Sequence, residues 1–520
     1  MVMNKRVLCR SASVLLTLFV VLWAFTPTDA RTSGIKDLDA YIEKTMQDWQ
    51  VPGLAVALVK GDKVVYMKGY GVRELGKNQV VNEDTIFPIG SASKAFTSAA
   101  IGLLVQDKKL SWDDRVIDHL QGFQMYDPWV TREITVRDLL CNRGGLSGVS
   151  EFLWYATDHD RSEIVRRLRY VKPESSFRSQ YAYRNCMFLT AGQVIPAVTG
   201  MSWDAFVRER IFKQLGMTRS STSVLDLQGL DNVATPHIKI DGKVTRVPFR
   251  NIDNIGPAGS VNASIKDMSQ WLMFHLNKGN LDGKRITEAA VIEETHKPHT
   301  PCPLSPEMKN LIPWARRADY CLSWVLIDSD GGPIVYHNGQ IDGIYAVIGF
   351  IPERQVGAVV LTNLENHKLS DVVFLRALDI LLERTPRDWN PIYLENGTKQ
   401  EAKIAKARKE LEASRVLGTK PALSLDAYAG TYENEVYGKV KVSLEKNSLV
   451  LHLSSHLVSD LIHWHYDTFR AACRDRVAEA RMGPNFVTFG INSQGTASEM
   501  NMSDMLIFKR LPDSKSGERK

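Results

Sequence analysis

The pattern of apolar and polar residues predicts a hairpin and then a helix early in the chain. Residues 53–75 contain two strand-like runs, LAVALV and KVVYMKGYGV, separated by Gly61-Asp62 as a turn. From Ser91 to Gln106, apolar side chains recur at intervals of 3, 4, 7 and 8, namely Phe96, Ala99, Ala100, Leu103 and Leu104. This spacing predicts a helix with one apolar face.

A second group of strands is predicted between residues 334 and 363. It consists of the runs IVYHNG, YAVIGFIP and VGAVVLTN, and a helical pattern follows over 370–383. Residues 133–215 mix helical periodicity with loops rich in Gly, Ser and Pro. Strands early and late with helices between them predict an α+β unit whose antiparallel sheet joins both ends of the segment.

The pattern changes after Arg384. The segment from Glu401 to Arg415 is dense in Lys, Glu, Arg and Ala and predicts a helix, which we assign to a charged helical linker over residues 386–420. Short alternating runs follow in YAGTYENEVYGKVKVSL, SLVLHL, FVTFGIN and MLIFKRL. They predict a small all-β barrel or sandwich over residues 421–510, and residues 511–520 form a charged tail.

The N-terminal residues 1–30 are typical of a signal peptide. Lys5, Arg6 and Arg10 precede a short apolar core from Val14 to Phe25, and a small-residue cleavage site follows around Ala30. We therefore expect a secreted or periplasmic protein. The alternative is an uncleaved membrane anchor, although the core is short for a stable membrane span.

Length, charge and cysteine content further limit the classes of protein to which this chain can belong. A chain of 520 residues is expected to form more than one structural unit, and a net charge of +6 is too small to indicate nucleic-acid binding. Its six cysteines show no CxxC spacing, so neither a disulfide framework nor a metal site is expected. Cys302 and Cys321 could pair across a loop or be separate buried thiols.

The candidate chemistry begins with three Ser-x-x-Lys pairs, which are Ser91–Lys94, Ser33–Lys36 and Ser443–Lys446. Only Ser91–Lys94 opens an apolar helix, where residues three apart share a face. A serine hydroxyl needs a nearby base to act as a nucleophile, and a desolvated lysine can supply one. The alternative is that Ser91 only caps the helix and Lys94 is solvated.

Two further clusters accompany this pair. Tyr183-x-Asn185 precedes an apolar helical run, and His337-Asn338-Gly339 lies between two strand runs. Each cluster is weak evidence alone. Together, Ser-x-x-Lys, Tyr-x-Asn and His-x-Gly in this order are specific.

With these motifs the sequence resembles the penicillin-recognising serine hydrolases of the class C β-lactamase type, which include DD-peptidases, D-aminopeptidases and esterases. The resemblance covers residues 35–385 and rests on FPIGSASKAFTSAAIGLL, ITVRDLLCNRGGLSG, YRNCMFLTAGQVI, GPAGSVNASIKDMSQWL and YHNGQIDGIYAVIGF. It implies a β-lactamase/transpeptidase-like domain over 31–385, with an antiparallel sheet and a helical subdomain. The C-terminal segment is similar to lipocalin-like barrels appended to some of these hydrolases.

The resemblance also implies roles for individual residues. Ser91 would be the acylated nucleophile, Lys94 its activating partner and Tyr183 the general base. Asn185 would orient Lys94 and bind the substrate amide. The division of proton transfer between lysine and tyrosine differs across the family.

The last cluster implies the oxyanion hole and the substrate contacts. The backbone N–H groups of Ser91 and of Gln340, which follows Gly339, would bind the oxyanion. His337 stands where the lactamases have the lysine of Lys-Thr-Gly. A histidine is mostly neutral at pH 7 and attracts a substrate carboxylate less strongly, which favours a peptidase, amidase or esterase.

We therefore predict an exported serine hydrolase that cleaves amides or esters through acyl-Ser91, with no metal or organic cofactor. The expected partners are small-molecule or short-peptide substrates and, through the barrel, copies of the same chain. The alternatives are a catalytically silent penicillin-binding-like receptor or sensor, and a true β-lactamase.

Overall fold

The computed structural model describes residues 28–304, 309, 312, 315–329, 331–483, 485–502 and 506–512. The predicted signal peptide up to residue 27 and the predicted tail from residue 513 lie outside these residues. In the described part of the chain, no helix combines the length and the apolar character that crossing a membrane requires.

The secondary structure alternates between helices and antiparallel strands. The strands are β1 (Gly53–Lys60), β2 (Lys63–Gly71), β3 (Ile86–Pro88), β4 (His237–Ile240), β5 (Lys243–Arg246), β6 (Asn262–Ser264), β7 (Asn280–Leu281), β8 (Lys284–Arg285), β9 (Thr300–Cys302), β10 (Arg317–Tyr320), β11 (Val325–Asp328), β12 (Ile334–Ile341), β13 (Ile344–Ile351), β14 (Val356–Thr362), β15 (Gly430–Asn434), β16 (Gly438–Glu445), β17 (Ser448–His452), β18 (Val458–His465), β19 (Thr468–Cys473), β20 (Asn485–Ile491), β21 (Ala497–Met502) and β22 (Leu506–Arg510). The α-helices are Thr28–Trp49, Lys94–Gln106, Val116–His119, Pro128–Glu133, Val136–Leu140, Arg161–Arg167, Asn185–Thr199, Trp203–Val207, Gly256–Gly259, Ile265–Leu276, Ala289–His296, Leu369–Leu381, Asn390–Ala413, Leu425–Tyr428 and Arg476–Met482.

Eight strands form one antiparallel sheet in the order β2-β1-β14-β13-β12-β11-β10-β9. The early hairpin joins the late strands through β1 and β14, with Leu54 opposite Thr362. The predicted α+β fold, with a sheet that joins both ends of the segment, is confirmed.

Both faces of this sheet are covered. On β1, Ala55, Ala57 and Val59 belong to one apolar core, and Leu54, Val56 and Leu58 belong to another on the opposite face. Successive side chains of a strand point to opposite faces, so a strand covered on both sides is apolar throughout.

The Lys94–Gln106 helix differs from its prediction in two ways. A 3₁₀ turn, Gly90–Ser93, precedes it, so Ser91 lies before the α-helix rather than in its first turn. The helix is also buried on all sides from Lys94 to Leu104. Its polar residues are satisfied internally, because the Thr97 hydroxyl donates to the Pro257 carbonyl at 2.6 Å and the Ser98 hydroxyl pairs with Ser323 at 2.7 Å.

The C-terminal strands β15 to β22 close into an eight-stranded antiparallel barrel. The predicted barrel is thereby confirmed, and the sandwich alternative is excluded. Apolar side chains fill its interior, including Tyr432, Val440, Val442, Leu449, Leu451, Leu461, Phe469, Val487, Phe489, Met500 and Phe508. The mostly exposed Asn390–Ala413 helix precedes the barrel and begins earlier than predicted, with Pro391 in its first turn.

The barrel packs against the helical region of the first unit. The Arg167 guanidinium donates to the carbonyls of Glu435 and Val436 at 3.0 Å each, and His159 Nε2 lies 2.8 Å from the Tyr437 carbonyl. Cys302 and Cys321 are separate buried thiols, so the alternative of a disulfide between them is not realised.

Candidate active site

Two glycines bring β12 against the turn that carries Ser91. Gly90 has a φ of +53°, and a β-carbon on it would lie 2.6 Å from the Gln340 nitrogen. A β-carbon on Gly339 would lie 1.8 Å from the Ile89 carbonyl oxygen and 2.8 Å from the Ser91 nitrogen. No other residue type fits this approach, because real β-carbons do not come so close to backbone atoms.

The edge of β12 is open where it faces Ser91. Strand β11 pairs with β12 only at Ile334, Val335 and Tyr336. Among the described strands, none continues this pairing along His337 to Ile341, and the 3₁₀ turn lies against that stretch instead. The backbones of Ser91 and Gln340 are thereby placed side by side.

Lys94 lies at the centre of the candidate site. Its Nζ donates to Ser91 Oγ at 3.0 Å, to Asn185 Oδ1 at 2.7 Å and to the Ala258 carbonyl at 2.8 Å. These three acceptors use every donor of an ammonium group.

The side chain of Lys94 is completely buried. Burial lowers the pKa of Lys94 to about 7, while the nearby carboxylate of Glu151 acts in the opposite direction. A substantial fraction of Lys94 is therefore uncharged at neutral pH and can accept a proton.

Tyr183 lies beside this lysine. Lys94 Nζ is 4.7 Å from the centre of the Tyr183 ring, and a hydrogen bond joins the Tyr183 phenol to Ser91. Burial raises the pKa of Tyr183, and the hydrogen bond with Ser91 acts in the opposite direction. The resting tyrosine is thus a neutral phenol.

Asn142 fixes the loop that carries Tyr183. The Asn142 carbonyl accepts a hydrogen bond from Ala182 N at 2.8 Å, and Asn142 Oδ1 accepts one from Arg184 N at 3.0 Å.

Asn185 begins the Asn185–Thr199 helix and is fixed by Glu151. Glu151 Oε1 accepts from the Asn185 backbone N–H at 3.0 Å, and Oε2 accepts from Asn185 Nδ2 at 2.6 Å. Trp154 Nε1 donates to the same carboxylate at 2.7 Å. The amide donors are thus held by Glu151, which leaves Asn185 Oδ1 directed at Lys94.

His337 is buried and uncharged. Burial and the nearby charge of Lys94 lower the pKa of His337 to about 3. Its Nδ1 is close to the Asn338 carbonyl, which can only accept, so Nδ1 carries the proton. Nε2 is then the acceptor for the Tyr320 hydroxyl at 3.3 Å. His337 therefore provides no positive charge for a substrate carboxylate.

The structure brings the residues singled out in the sequence to one place. Ser91, Lys94, Tyr183 and Asn185 are connected by direct contacts, the His337 ring is 6.4 Å from the Tyr183 ring, and Gly339 and Gln340 adjoin the serine turn. In the described part of the chain, no cluster of three His, Cys, Asp or Glu side chains is placed to hold a metal ion.

Sequence reasoning missed several contributors to this site. Glu151 belongs to no recognised spacing, and Tyr320 gives no signal beyond a strand-like pattern. The Ala258 carbonyl lies in the quoted stretch GPAGSVNASIKDMSQWL, but a backbone acceptor leaves no trace in residue type. A carboxylate just after the Gly-Gly-Leu-Ser-Gly loop was the only available hint of Glu151.

Comparison with known families assigns both parts of the chain. The family described as beta-lactamase matches residues 38–380, and a domain of unknown function (DUF3471) matches residues 414–514. The first match covers more than half of the chain, so this protein belongs to the beta-lactamase family.

Named relatives lie at low sequence identity. The unguisins hydrolases ungD' of Aspergillus campestris and ungD of Aspergillus violaceofuscus are 27% and 26% identical, and each match covers 80% of this chain and 79% or 78% of the relative. Protein flp of Staphylococcus aureus is 24% identical, with 65% of each chain covered.

Solved structures share the fold. The octameric penicillin-binding protein homologue from Pyrococcus abyssi aligns with a TM-score of 0.61 and 21% identity, covering 91% of this chain and 100% of that one. A crystal structure of SurE aligns with a TM-score of 0.54 and 16% identity, covering 93% of this chain and 100% of that one. The predicted β-lactamase/transpeptidase-like fold is confirmed.

Proposed function

We propose that this protein is an exported serine hydrolase that cleaves amide or ester bonds through an acyl intermediate on Ser91. The observation that carries the proposal is the 3.0 Å contact between Ser91 Oγ and Lys94, a buried lysine with a pKa of about 7. A positioned base beside the hydroxyl is what a serine nucleophile requires. The names of the two Aspergillus relatives support hydrolytic chemistry.

Acylation begins with proton transfer from Ser91 to Lys94. The neutral lysine takes the proton from Ser91 Oγ as this oxygen bonds to the carbonyl carbon of the substrate. The developing oxyanion is stabilised by the backbone N–H groups of Ser91 and Gln340. The resting pKa values favour Lys94 over Tyr183 as this base.

Tyr183 acts on the leaving group. Its neutral phenol donates a proton to the departing nitrogen or oxygen as the C–N or C–O bond breaks, and the Lys94 ammonium returns a proton to the phenolate. In deacylation, the neutral Lys94 accepts one proton from the attacking water, and the resulting ammonium returns this proton to Ser91 Oγ when the bond to the acyl carbon breaks. The cycle consumes one water and leaves both residues as they began.

Short peptides and small esters are the substrates that we propose. The buried, uncharged His337 offers no cation for the carboxylate of a β-lactam. Turnover of nitrocefin is therefore expected to be slow compared with that of a simple ester. Fast nitrocefin turnover by the unaltered protein would contradict this assignment.

The domain limits belong to the same proposal. We assign residues 1–30 to an export signal, 31–385 to the hydrolase domain, 386–420 to the linker, 421–510 to the barrel and 511–520 to a charged tail. The Pyrococcus abyssi homologue is described as octameric, which supports self-assembly of this chain, and we propose the barrel as the contact surface. Light scattering on the full chain and on residues 31–420 tests this assembly.

The test of the proposal is covalent labelling. A fluorophosphonate probe is expected to add to Ser91, as identified by peptide mass mapping, and ester substrates are expected to give an acyl adduct that clears. Ser91→Ala should abolish labelling and turnover, while Ser443→Ala, the matched serine of another Ser-x-x-Lys pair, should retain both. An acyl adduct on Ser91 that never clears would indicate a receptor rather than an enzyme.

A further inference from the structure

A cavity of about 430 Å³ lies between the barrel and residues 151–155 of the first unit. The first unit contributes Glu151, Phe152, Trp154 and Tyr155 to its walls. The barrel contributes mostly apolar residues, including Leu457, Ala471 and Met502. The cavity is therefore formed only when both parts of the chain are packed together.

Small side chains on the barrel strands create this space. On β19, Phe469 and Ala471 lie on the same inward face and in the same apolar core, and the smaller Ala471 lines the cavity. On β18, Leu461 is in the core and Ser459 lines the cavity. These two small inward residues leave space at the end of the barrel that meets the first unit.

One polar group at this cavity lacks a partner. Tyr437 is among the lining residues, and its buried hydroxyl has no hydrogen-bond partner among the residues that the structure describes. A buried hydroxyl left unpaired is unfavourable, so native structures usually supply a partner. A ligand with one polar atom in a mainly apolar body would supply it.

One residue of the cavity wall also contacts the candidate active site. Glu151, in its wall, binds Asn185 Nδ2 at 2.6 Å, and Asn185 Oδ1 in turn binds Lys94 Nζ at 2.7 Å. Lys94 contacts Ser91 Oγ at 3.0 Å. A group bound in the cavity is thus separated from the reacting atoms by a short chain of side chains.

We propose that this cavity binds a bulky apolar group of the substrate, namely an acyl chain or a large aliphatic or aromatic side chain. The proposal rests on the hydrolase function proposed above and gives that function a substrate class, hydrophobic esters and amides. A mainly apolar pocket with some polar groups at its walls, here Glu151, Arg481 and Asn485, suits such a group. The barrel is then part of the substrate-binding site.

The test compares p-nitrophenyl octanoate with p-nitrophenyl acetate. In the unaltered protein we expect kcat/KM for octanoate to exceed that for acetate by about tenfold or more, since apolar pockets discriminate by such factors. Ala471→Phe, which fills the cavity, should bring this ratio close to unity. The matched control is Ala472→Phe, because Ala472 is the next residue on β19 and does not line the cavity; it should keep the ratio.

Two further measurements keep the outcome interpretable. Met502→Ala enlarges the cavity and should shift the preferred ester toward p-nitrophenyl decanoate, even if Ala471→Phe fails to fold. Binding of N-phenyl-1-naphthylamine to Ser91→Ala, followed by fluorescence, reports the cavity without turnover and should be lost only on adding Ala471→Phe. Ester hydrolysis with no length preference and no dye binding overturns the proposal alone. Dye binding without hydrolysis of any ester overturns the hydrolase function and the substrate role of the cavity together.

Discussion

Lys94 combines complete burial with three hydrogen bonds, and this combination determines when the residue is charged. An exposed lysine keeps its proton far above neutral pH, whereas the pKa of Lys94 falls to about 7. A lysine can therefore act as a base here without a metal or a histidine beside it. Burial also lowers the pKa of His337, to about 3, and the nearby charge of Lys94 acts in the same direction.

The pH dependence of turnover follows from this pKa. Below pH 7 Lys94 is an ammonium ion and cannot take the Ser91 proton, so kcat/KM for an ester should fall about tenfold per pH unit on the acid side. Above pH 7 it should reach a plateau. The measurement is a pH–rate profile, and a profile flat from pH 5 to 9 would contradict the role of Lys94. Lys94→Arg should be inactive throughout this range.

Substitution of Glu151 offers a separate test of the role of Lys94. Its carboxylate favours the charged form of Lys94, so Glu151→Gln should lower the pKa of Lys94 and move the acid limb of the profile to lower pH. A purely structural role would reduce activity without moving this limb. Glu174→Gln is the control, because Glu174 pairs with Arg184 on the same loop but does not contact Asn185 or Lys94.

Strand β12 and the 3₁₀ turn act as one element, since each supplies a glycine to their contact. The backbone N–H groups of Ser91 and Gln340 are therefore positioned by the contact between the strand and the turn, and not by either element alone. The spacing of the two N–H groups therefore depends on the absence of a β-carbon at residues 90 and 339.

Gly339→Ala is predicted to move the backbone N–H group of Gln340 away from that of Ser91. The added β-carbon would meet the Ile89 carbonyl oxygen at 1.8 Å and push β12 away from Ser91. Losing one oxyanion donor typically costs about 10²–10³ in kcat. Asn338→Ala, on the neighbouring residue of β12, is the control and should retain most activity. Steady-state kinetics beside circular dichroism measure the effect, and an unchanged kcat in folded Gly339→Ala would exclude the proposed oxyanion hole.

These elements show what sequence patterns predict well and where they fail. The continuous apolar runs of β1, β13 and β14 could be recognised as strands in the sequence, because their side chains face only the two cores. Strand β18 was not readable, because an inward serine, Ser459, and a bulge between His463 and His465 interrupt its alternation.

The site shows a similar division. Ser91, Lys94, Tyr183 and Asn185 stand in short motifs that can be found by spacing. Glu151 acts across 34 positions of sequence to hold Asn185, and such a contact exists only after folding. The sequence pattern predicted a helix with one apolar face, but the structure buries every side of this helix. That complete burial lowers the pKa of Lys94, so the pKa shift could not be predicted from the sequence.

Across the whole molecule, the barrel is attached to the tip of the β12–β13 hairpin. Buried Asp342 accepts from Arg250 Nε at 2.8 Å and from Arg481 Nη1 of the barrel at 3.0 Å. The Tyr155 hydroxyl donates to the same carboxylate at 3.0 Å. Since Asp342 lies two residues after Gln340, the barrel supports the strand that adjoins Ser91.

Arg481→Ala is predicted to weaken this support. Hydrogen bonds to charged groups contribute about 1.5–3 kcal/mol, so the midpoint of thermal unfolding should fall and ester turnover should decrease with it. Arg474→Ala is the matched control on the barrel, because Arg474 forms exposed ion pairs with Glu445 and Asp460. It should leave both the midpoint and the turnover nearly unchanged. Equal effects of the two substitutions would show that the Asp342 contact has no special importance.

The pairing of β1 with β14 has a consequence for biosynthesis. A growing chain cannot complete its central sheet until Thr362 has left the ribosome, although Ser91 emerges long before. Any fragment that stops before Ile334 holds Ser91 without strand β12, which lies against it. The candidate site and the sheet that holds it are therefore complete only in the last third of translation.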